Sequence, residues 1–571
     1  MALSGLTAVR PVWTIDPDAS LYLGLGRSLA AGHGYVLDGL PHTKYPPAFP
    51  ALLAVLVRLS GPESYAVFHG ALVLGMAAAV LLTWAVVRRL AYPPAVAFAV
   101  AAAVAASTTL FDLSVLYLRS EVPFLVLTLL AQVAFWSPQL GSAPRRVGPG
   151  ATIGAALATV GATATRLAGV ALLAIPAVRW LRPTAPAGGR RQAVIALVAA
   201  GLALIAWSAW THHAAALHPG GADYGSEFAA AEPRDLTKIV RADMPPLDGP
   251  AFARRVADNA EIMARATAVL LTNVDRAAAR LPVGVLLLAL VLVGLAVLWR
   301  AGGARAESVG YVVATLALYL AWPFNQQERF YVPLLPLLLL AAGEGVLALW
   351  KLTRRLQRAR PGRAAILTSG GALFVVLAAQ RSDFPVLLGR WSYAYAALLA
   401  VVLAGWIALW RLLRRPELPA ARASWALALP LLVAAPMLHK RCVEWPGRVD
   451  AFEARRAADP QRRALARIDA DPRLEAVAVF LRDRTEPQAL VMTDVPAMLQ
   501  VLSERRCIPF VYQVQPPDVL TDGADYLFYS REWPDAAAVT DAVATRWSKA
   551  LELEPVFDGE RHVVPTIYRL R

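Results

Sequence analysis

GATIGAALATVGATATRLAGVALLAIPAVRWL, residues 150–181, is the stretch on which the topology of this chain turns. It is apolar apart from Arg166 near its centre and Arg179 near its end. About 20 helical residues cross a hydrocarbon core of roughly 30 Å, so this run is too long for one ordinary span. Either it is one tilted helix with a buried arginine, or it is a pair of short helices with Arg166 at the tip between them.

The charges on either side decide between these. With a turn at Arg166, the basic clusters Arg88/Arg89, Arg145/Arg146, Arg179/Arg182/Arg190/Arg191, Arg300/Arg305, Lys351 to Arg363 and Arg411 to Arg422 all fall on one side. The short loops of the other side hold only Arg119, Arg166, Arg329, Arg381 and Arg390. That asymmetry is the positive-inside pattern of membrane proteins, and a single helix over 150–181 would scramble it. The hairpin is therefore expected, with the basic loops cytoplasmic. Acidic residues agree, since the basic loops contain only Glu307 and Glu417.

Outward from the hairpin, the whole chain reads as a polytopic α-helical membrane protein. Residues of the AVILMFWYC class make up 57 % of it and charged residues 17 %, against about 45–50 % and about 25 % in soluble domains. The net charge of +15 is spread between apolar runs and forms no single patch, which excludes a nucleic-acid binder. Spans are expected at about 65–87, 93–113, 121–137, 150–164, 168–181, 193–210, 282–299, 308–323, 331–350, 364–380, 391–411 and 424–438. This leaves a first outer loop over 1–64, a transmembrane domain over 65–439 with an outer loop at 211–281, and an extracytoplasmic α/β domain over 440–571. In that last part the strand-like runs ALVMTDV, IPFVY and DYLFYS alternate with helical stretches at about 471–484 and 534–548. The terminal run PVFDGERHVVPTIYRL reads as a hairpin turning at Asp558-Gly559. The chain's two cysteines, Cys442 and Cys507, both fall here, where a disulfide can form if the region is extracytoplasmic, with a pair of free thiols the equal alternative. The opening residues, interrupted by Arg10, Pro11 and Trp13, do not read as a cleavable signal peptide.

The chemistry is expected in DPDASLYLGLGRSLAAGHGYVLDGLPHTKYPPAFPALLAVLVRL, residues 16–59. Leu21, Leu25 and Leu29, with Tyr22 beside them, give one apolar helical face, suited to lying along a membrane surface. Asp16 and Asp18 stand at the start of that helix, where free N–H groups and the helix dipole favour a carboxylate. One of them is read as an N-cap on local grounds.

The pattern Asp-x-x-x-Tyr ending at Tyr22, then Arg27-Ser28-Leu29-Ala30, Gly32-His33-Gly34-Tyr35 and Pro46-Pro47-Ala48-Phe49-Pro50, resembles the first outer loop of GT-C glycosyltransferases. It is most similar to the branch of protein O-mannosyltransferases and the lipid A aminoarabinose transferase. The resemblance implies transfer of a hexosyl or pentosyl group, with inversion, from a polyprenyl-phosphate carrier to a lipid, glycan or protein acceptor on the outer face of the plasma (inner) membrane. It puts the essential aspartate of that loop at Asp18, with Asp16 as fallback, and Tyr22 and His33 beside the substrate. Lys44, before Tyr45-Pro46-Pro47, resembles the family's Lys-Pro-Pro with one residue inserted. Arg166 at the hairpin tip and Arg329 in QQERFYVPLLPLLLL match further family positions. Arg119-Ser120-Glu121 resembles the Ser-Glu that opens a family helix, and Glu121 there has a structural or a substrate-binding role. Such chemistry needs a base near the acceptor hydroxyl, and cations rather than a strong acid for the phosphate leaving group.

Blander roles stand beside these. Lys44 reads equally as a snorkelling residue, Arg166 as a headgroup anchor and Arg329 as a helix-end anchor. His33, His42 and His69 lack metal-site spacing and read as polar or interfacial residues. No cofactor is expected, although the Asp16-x-Asp18 spacing suits a divalent ion and some relatives are metal-dependent. The family has one more helix before the first loop, which would make thirteen spans. The rival function is a transporter or flippase of lipid-linked saccharides, but that class places ionisable residues near the midplane and often shows inverted repeats, neither of which is found here.

Overall fold

A computed structural model describes residues 13–37, 40–136, 147–182, 187–217, 247–272, 277–323 and 327–359. It also describes residue 9 and the stretches 468–469, 472–493, 496–509, 525–528, 553–557 and 567–570. The expected spans at 364–380, 391–411 and 424–438, Cys442, the helix expected at 534–548 and the turn at Asp558-Gly559 lie outside the described residues.

The described part is mostly helical. In chain order the helices up to residue 181 are α1 (Pro17–Ala31), α2 (Ala48–Ser60), α3 (Tyr65–Arg89), α4 (Pro94–Ala105), α5 (Thr108–Val115), α6 (Glu121–Phe135), α7 (Pro149–Thr165) and, after a 3-10 helix at Leu167–Leu173, α8 (Ala174–Leu181). Then come α9 (Ala187–Leu217), α10 (Gly249–Thr272), α11 (Ala277–Ala301), α12 (Gly303–Ala321), the single turn α13 (Glu328–Tyr331) and α14 (Leu335–Ala359). By length and composition alone, Tyr65–Arg89, Gly189–Ala214, Arg280–Ala301 and Glu328–Leu352 are each long and apolar enough to cross a membrane. Their outward side chains, such as Leu74, Leu81, Leu202, Ile205 and Leu292, are apolar and exposed, as a lipid-facing surface requires. The chain is an integral membrane protein.

The span expected at 93–113 is corrected in shape. It is a bent pair, α4 and α5, turned by 53°. The break falls at Ala106-Ser107, where the Ser107 hydroxyl accepts a hydrogen bond from the Leu110 amide at 3.2 Å and starts a new helix. A serine that caps the following turn ends the preceding helix, whatever the hydropathy of the run.

The hairpin at residues 150–181 is real. Arg166 has extended backbone (φ −148°), and the 3-10 segment after it folds back along α7. Gly169 packs so closely that an added Cβ would overlap the Thr163 backbone. Likewise Gly294 of α11 meets the Ala341 carbonyl of α14, and Gly345 of α14 meets the Leu290 carbonyl of α11. Small residues let lipid-embedded helices approach this closely.

The hairpin's far end carries a buried polar knot. Arg179 donates to both oxygens of Glu307 at 2.9 and 2.6 Å, to Gln192 Oε1 at 2.7 Å and to the Phe135 carbonyl at 2.9 Å. The Trp136 indole donates to Glu307 at 3.0 Å, and Gln192 donates to the carbonyls of Ala134 and Ala151. The ends of α6 and α8 and the starts of α7, α9 and α12 are thus fastened at one face. Glu121 and Arg166, at the other ends of α6 and α7, are left at the opposite face. Glu344 finds a partner near the knot's face too, accepting from the Tyr92 hydroxyl at 2.7 Å.

Before α1, β1 (Trp13–Thr14) runs parallel to β4 (Ile468–Asp469), while β2 (Val36–Leu37) and β3 (Leu40–Pro41) form an antiparallel pair. Further strands are β5 (Leu490–Thr493), β6 (Arg506–Pro509), β7 (Tyr526–Phe528), β8 (Leu553–Phe557) and β9 (Ile567–Leu570). They form one sheet in the order β6-β5-β7-β9-β8. β5 is parallel to β6 and β7, and β9 is antiparallel to β7 and β8. Helix α15 (Pro472–Arg484) packs on α16 (Pro496–Ser503), which in turn packs against α1. Cys507 is buried on β6, its thiol donating to the Arg505 carbonyl at 3.4 Å.

Candidate active site

Asp16 closes the start of α1. Its Oδ1 accepts from the amides of Asp18 and Ala19, both at 3.1 Å, Pro17 fills the first helical position, and Gly32 ends the helix in the left-handed region (φ +82°). The same carboxylate takes Arg119, with Nε 3.1 Å from Oδ2. Burial raises the Asp16 carboxyl above its ordinary value, and Asp18 adds to this, while Arg119 opposes it.

Asp18 and Tyr22, one turn apart, share a face of α1. The Asp18 Oδ2 is 2.6 Å from Nη2 of Arg329, and its Oδ1 accepts from the Tyr45 hydroxyl at 2.7 Å. Burial alone would raise this carboxyl. Arg329, the Tyr45 hydrogen bond, Arg119 and Arg166 together bring it below the ordinary carboxylate value. Asp18 is therefore ionised at neutral pH.

A second carboxylate continues the network. Glu121, buried at the start of α6, has Oε1 2.8 Å from Arg166 Nη1 and 3.6 Å from Arg329 Nη1. Arg166 also donates to the Ser120 hydroxyl at 3.2 Å, and Ser120 lies 3.0 Å from the Tyr22 hydroxyl. The path from Asp18 through Arg329, Glu121, Arg166 and Ser120 to Tyr22 thus returns to the helix it left. Phe330 lies under both guanidinium groups, its ring centroid 5.0 Å from Arg166 and 5.7 Å from Arg329. Beside this network opens a pocket lined by Tyr22, Tyr45, Pro46, Thr165, Arg166, Leu167, Ala168, Tyr319, Trp322 and Phe330.

The structure thus brings together Asp18, Tyr22, Glu121, Arg166 and Arg329, with Asp16 one step away through Arg119. Lys44 stands by the Tyr45 ring, 5.8 Å from its centroid. His33 is exposed beyond the end of α1 and no described contact joins it to the network, because Gly32 turns the chain away at that point. Tyr45, Ser120 and the aromatic wall of Tyr319, Trp322 and Phe330 were not selected from the sequence. Tyr45 had the clearest signal, between Lys44 and Pro46-Pro47. Among the described residues no group of three or more His, Cys, Asp or Glu is placed to hold a metal ion.

No family model and no curated protein matches the chain. Solved structures do. ArnT from Cupriavidus metallidurans in the apo state superposes with a TM-score of 0.53 at 16 % identity, over 99 % of this chain and 96 % of that one. The same protein bound to undecaprenyl phosphate gives 0.54 at 15 %, with the same coverage. The chain has a GT-C fold. An Archaeoglobus fulgidus oligosaccharyltransferase, solved with Zn and sulfate, aligns with a TM-score of 0.35 at 12 % identity, over 93 % of this chain and 67 % of that one. Within the GT-C fold the network described above occupies the helix ends opposite the Arg179–Glu307 knot.

Proposed function

We propose that the chain is a membrane glycosyltransferase that moves a sugar from a polyprenyl-phosphate carrier to an acceptor on the outer face of the membrane. The observation that carries this is the placement of an ionised, half-buried Asp18 against Arg329, in one network with Arg166, which itself lines an aromatic-walled pocket. The GT-C fold supports it, as does the undecaprenyl phosphate bound to ArnT. In this reading Asp18 receives the proton of the acceptor hydroxyl. A depressed carboxyl is a weak base, which suits a transition state dominated by departure of the phosphate rather than by attack. Arg329 and Arg166 meet the phosphate. Their planar forks match its oxygens, and their present carboxylate partners keep them aimed until a phosphate that accepts two hydrogen bonds from a fork competes for them. Direct displacement by the acceptor inverts the anomeric centre. Tyr22 and the aromatic wall offer faces on which a sugar ring or an isoprenoid stacks.

The transporter reading has less support, since the described ionisable network sits at helix ends and not at the midplane. The decisive test uses Asp18→Asn in proteoliposomes supplied with a radiolabelled polyprenyl-phosphate sugar. Transfer to an acceptor should fall to background while the variant purifies and elutes like the wild type. Retained transfer would sink the assignment.

A further inference from the structure

Tyr45 is held more tightly than a pocket-lining aromatic needs to be. Its amide donates to His42 Nε2 at 2.9 Å, and its carbonyl accepts from the Tyr35 hydroxyl at 2.7 Å. The imidazole of His42 also stacks on its ring, 19° from parallel and 5.7 Å between centroids. The bracket is itself anchored. The His42 amide donates to the Tyr35 carbonyl at 3.1 Å, and the His42 carbonyl accepts from the Trp210 indole of α9 at 2.8 Å. Tyr35 meets Trp207 and Trp210 edge-on, 6.3 Å from each. Because Nε2 accepts the Tyr45 N–H, His42 must be neutral with its proton on Nδ1. Burial first, and then Lys44, push this imidazole down to about 3, so it stays neutral at physiological pH.

The far end of Tyr45 is its hydroxyl, which donates to Asp18 Oδ1 at 2.7 Å. Arg329 takes the other oxygen. We infer that Tyr45 is a positioning residue for the Asp18 carboxylate, and that His42, with Trp210 behind it, is the bracket that fixes Tyr45 against it. This rests on the reading of Asp18 as the base. The argument is geometric. A carboxylate held only by Arg329 rotates about χ2 and follows the guanidinium when that group turns to a phosphate. A second donor on Oδ1, backed by an aromatic bracket spanning α9 and the first loop, keeps the plane of the carboxylate fixed through that exchange.

The experiment compares Tyr45→Phe, His42→Ala and His42→Gln in the proteoliposome transfer assay, with Asp18→Asn as reference. Tyr45→Phe keeps the ring and its stack but removes the donor. The kcat should fall about ten-fold, the size expected for one hydrogen bond to a charged group, with KM for the donor little changed. The acid limb of its pH–rate profile should move to higher pH. Arg329, Arg119, Arg166, Asp16 and Glu121 all face Asp18 and remain in the variant, so only the lost hydrogen bond accounts for the move. His42→Ala should lower kcat, and His42→Gln, whose amide oxygen replaces Nε2 as acceptor, should restore part of it. Wild-type kcat and acid limb in Tyr45→Phe would overturn the inference. If Tyr45→Phe fails to fold, the histidine pair decides: equal kcat in His42→Ala and wild type overturns it, and loss with glutamine rescue supports it. An active Asp18→Asn would instead bring down the base assignment on which the inference stands.

Discussion

Asp18 and Asp16 are two residues apart in sequence and have been given opposite environments. Asp16 spends its oxygens on two amides and Arg119, while Asp18 faces Arg329 and Tyr45. The shift of Asp18 is a balance, with burial raising its carboxyl and the neighbouring cations and Tyr45 more than offsetting it. The sign follows. A depressed carboxyl stays ionised, and the proposed transfer persists, until the pH falls below the ordinary carboxylate range. Arg329→Gln removes the largest lowering influence and leaves burial opposed only by weaker ones. Its residual activity should therefore show an acid limb displaced to higher pH, read from pH–rate profiles normalised to each maximum. An unmoved limb would mean that Asp18 is not the group whose ionisation limits the rate. At this scale Asp18, Arg166 and Arg329 were legible because a charged residue at the end of an apolar run has few reasons to be there. Tyr45 was not, because a tyrosine at a membrane interface is expected on composition alone, and only coordinates show that its hydroxyl is aimed at a carboxylate.

Among the elements, the α7–α8 hairpin does the most to assemble the site. It carries Arg166 at its tip and Arg179 at its foot, so one short motif holds the candidate site at one end and the structural knot at the other. The hairpin could be read from charge because lipid forbids an unpaired arginine at mid-span and loops sort by sign. The break between α4 and α5 could not, since hydropathy does not distinguish a serine that bonds within its helix from one that caps the next. The knot itself makes a separable prediction. Among the described residues, Arg179→Leu leaves buried Glu307 with the Trp136 indole alone as a hydrogen-bond donor, and removing one partner of a buried pair costs about 3–5 kcal/mol. Thermal unfolding in detergent should show that loss, with turnover per folded molecule unchanged. Arg179→Leu combined with Glu307→Leu should cost less than the two single changes added together. Additive losses would show that the pair is not coupled.

Across the whole molecule, the first loop, the tip of the hairpin, α13 and the α1–α16 contact all gather at one face, and the described basic residues Arg89, Arg182 and Arg305 gather with the knot at the other. Helix packing gives this two-ended arrangement without saying which end faces the cytoplasm. The charge distribution supplies the direction, because arginines that trail apolar spans are retained inside. A carrier-linked sugar on the outer leaflet can be used only if the Asp18 face is outward, so function and charge pattern stand or fall on the same measurement. His33 is exposed near that face, just beyond the end of α1, and Ala301 is exposed at the opposite one, at the last residue of α11. With Cys442 and Cys507 replaced by alanine, His33→Cys in intact cells should react with a membrane-impermeant maleimide. Ala301→Cys should react only after permeabilisation. The reverse pattern would place the carboxylate–arginine network on the cytoplasmic side and rule out an outer-leaflet donor, while leaving the fold and the base chemistry of Asp18 to stand on their own tests.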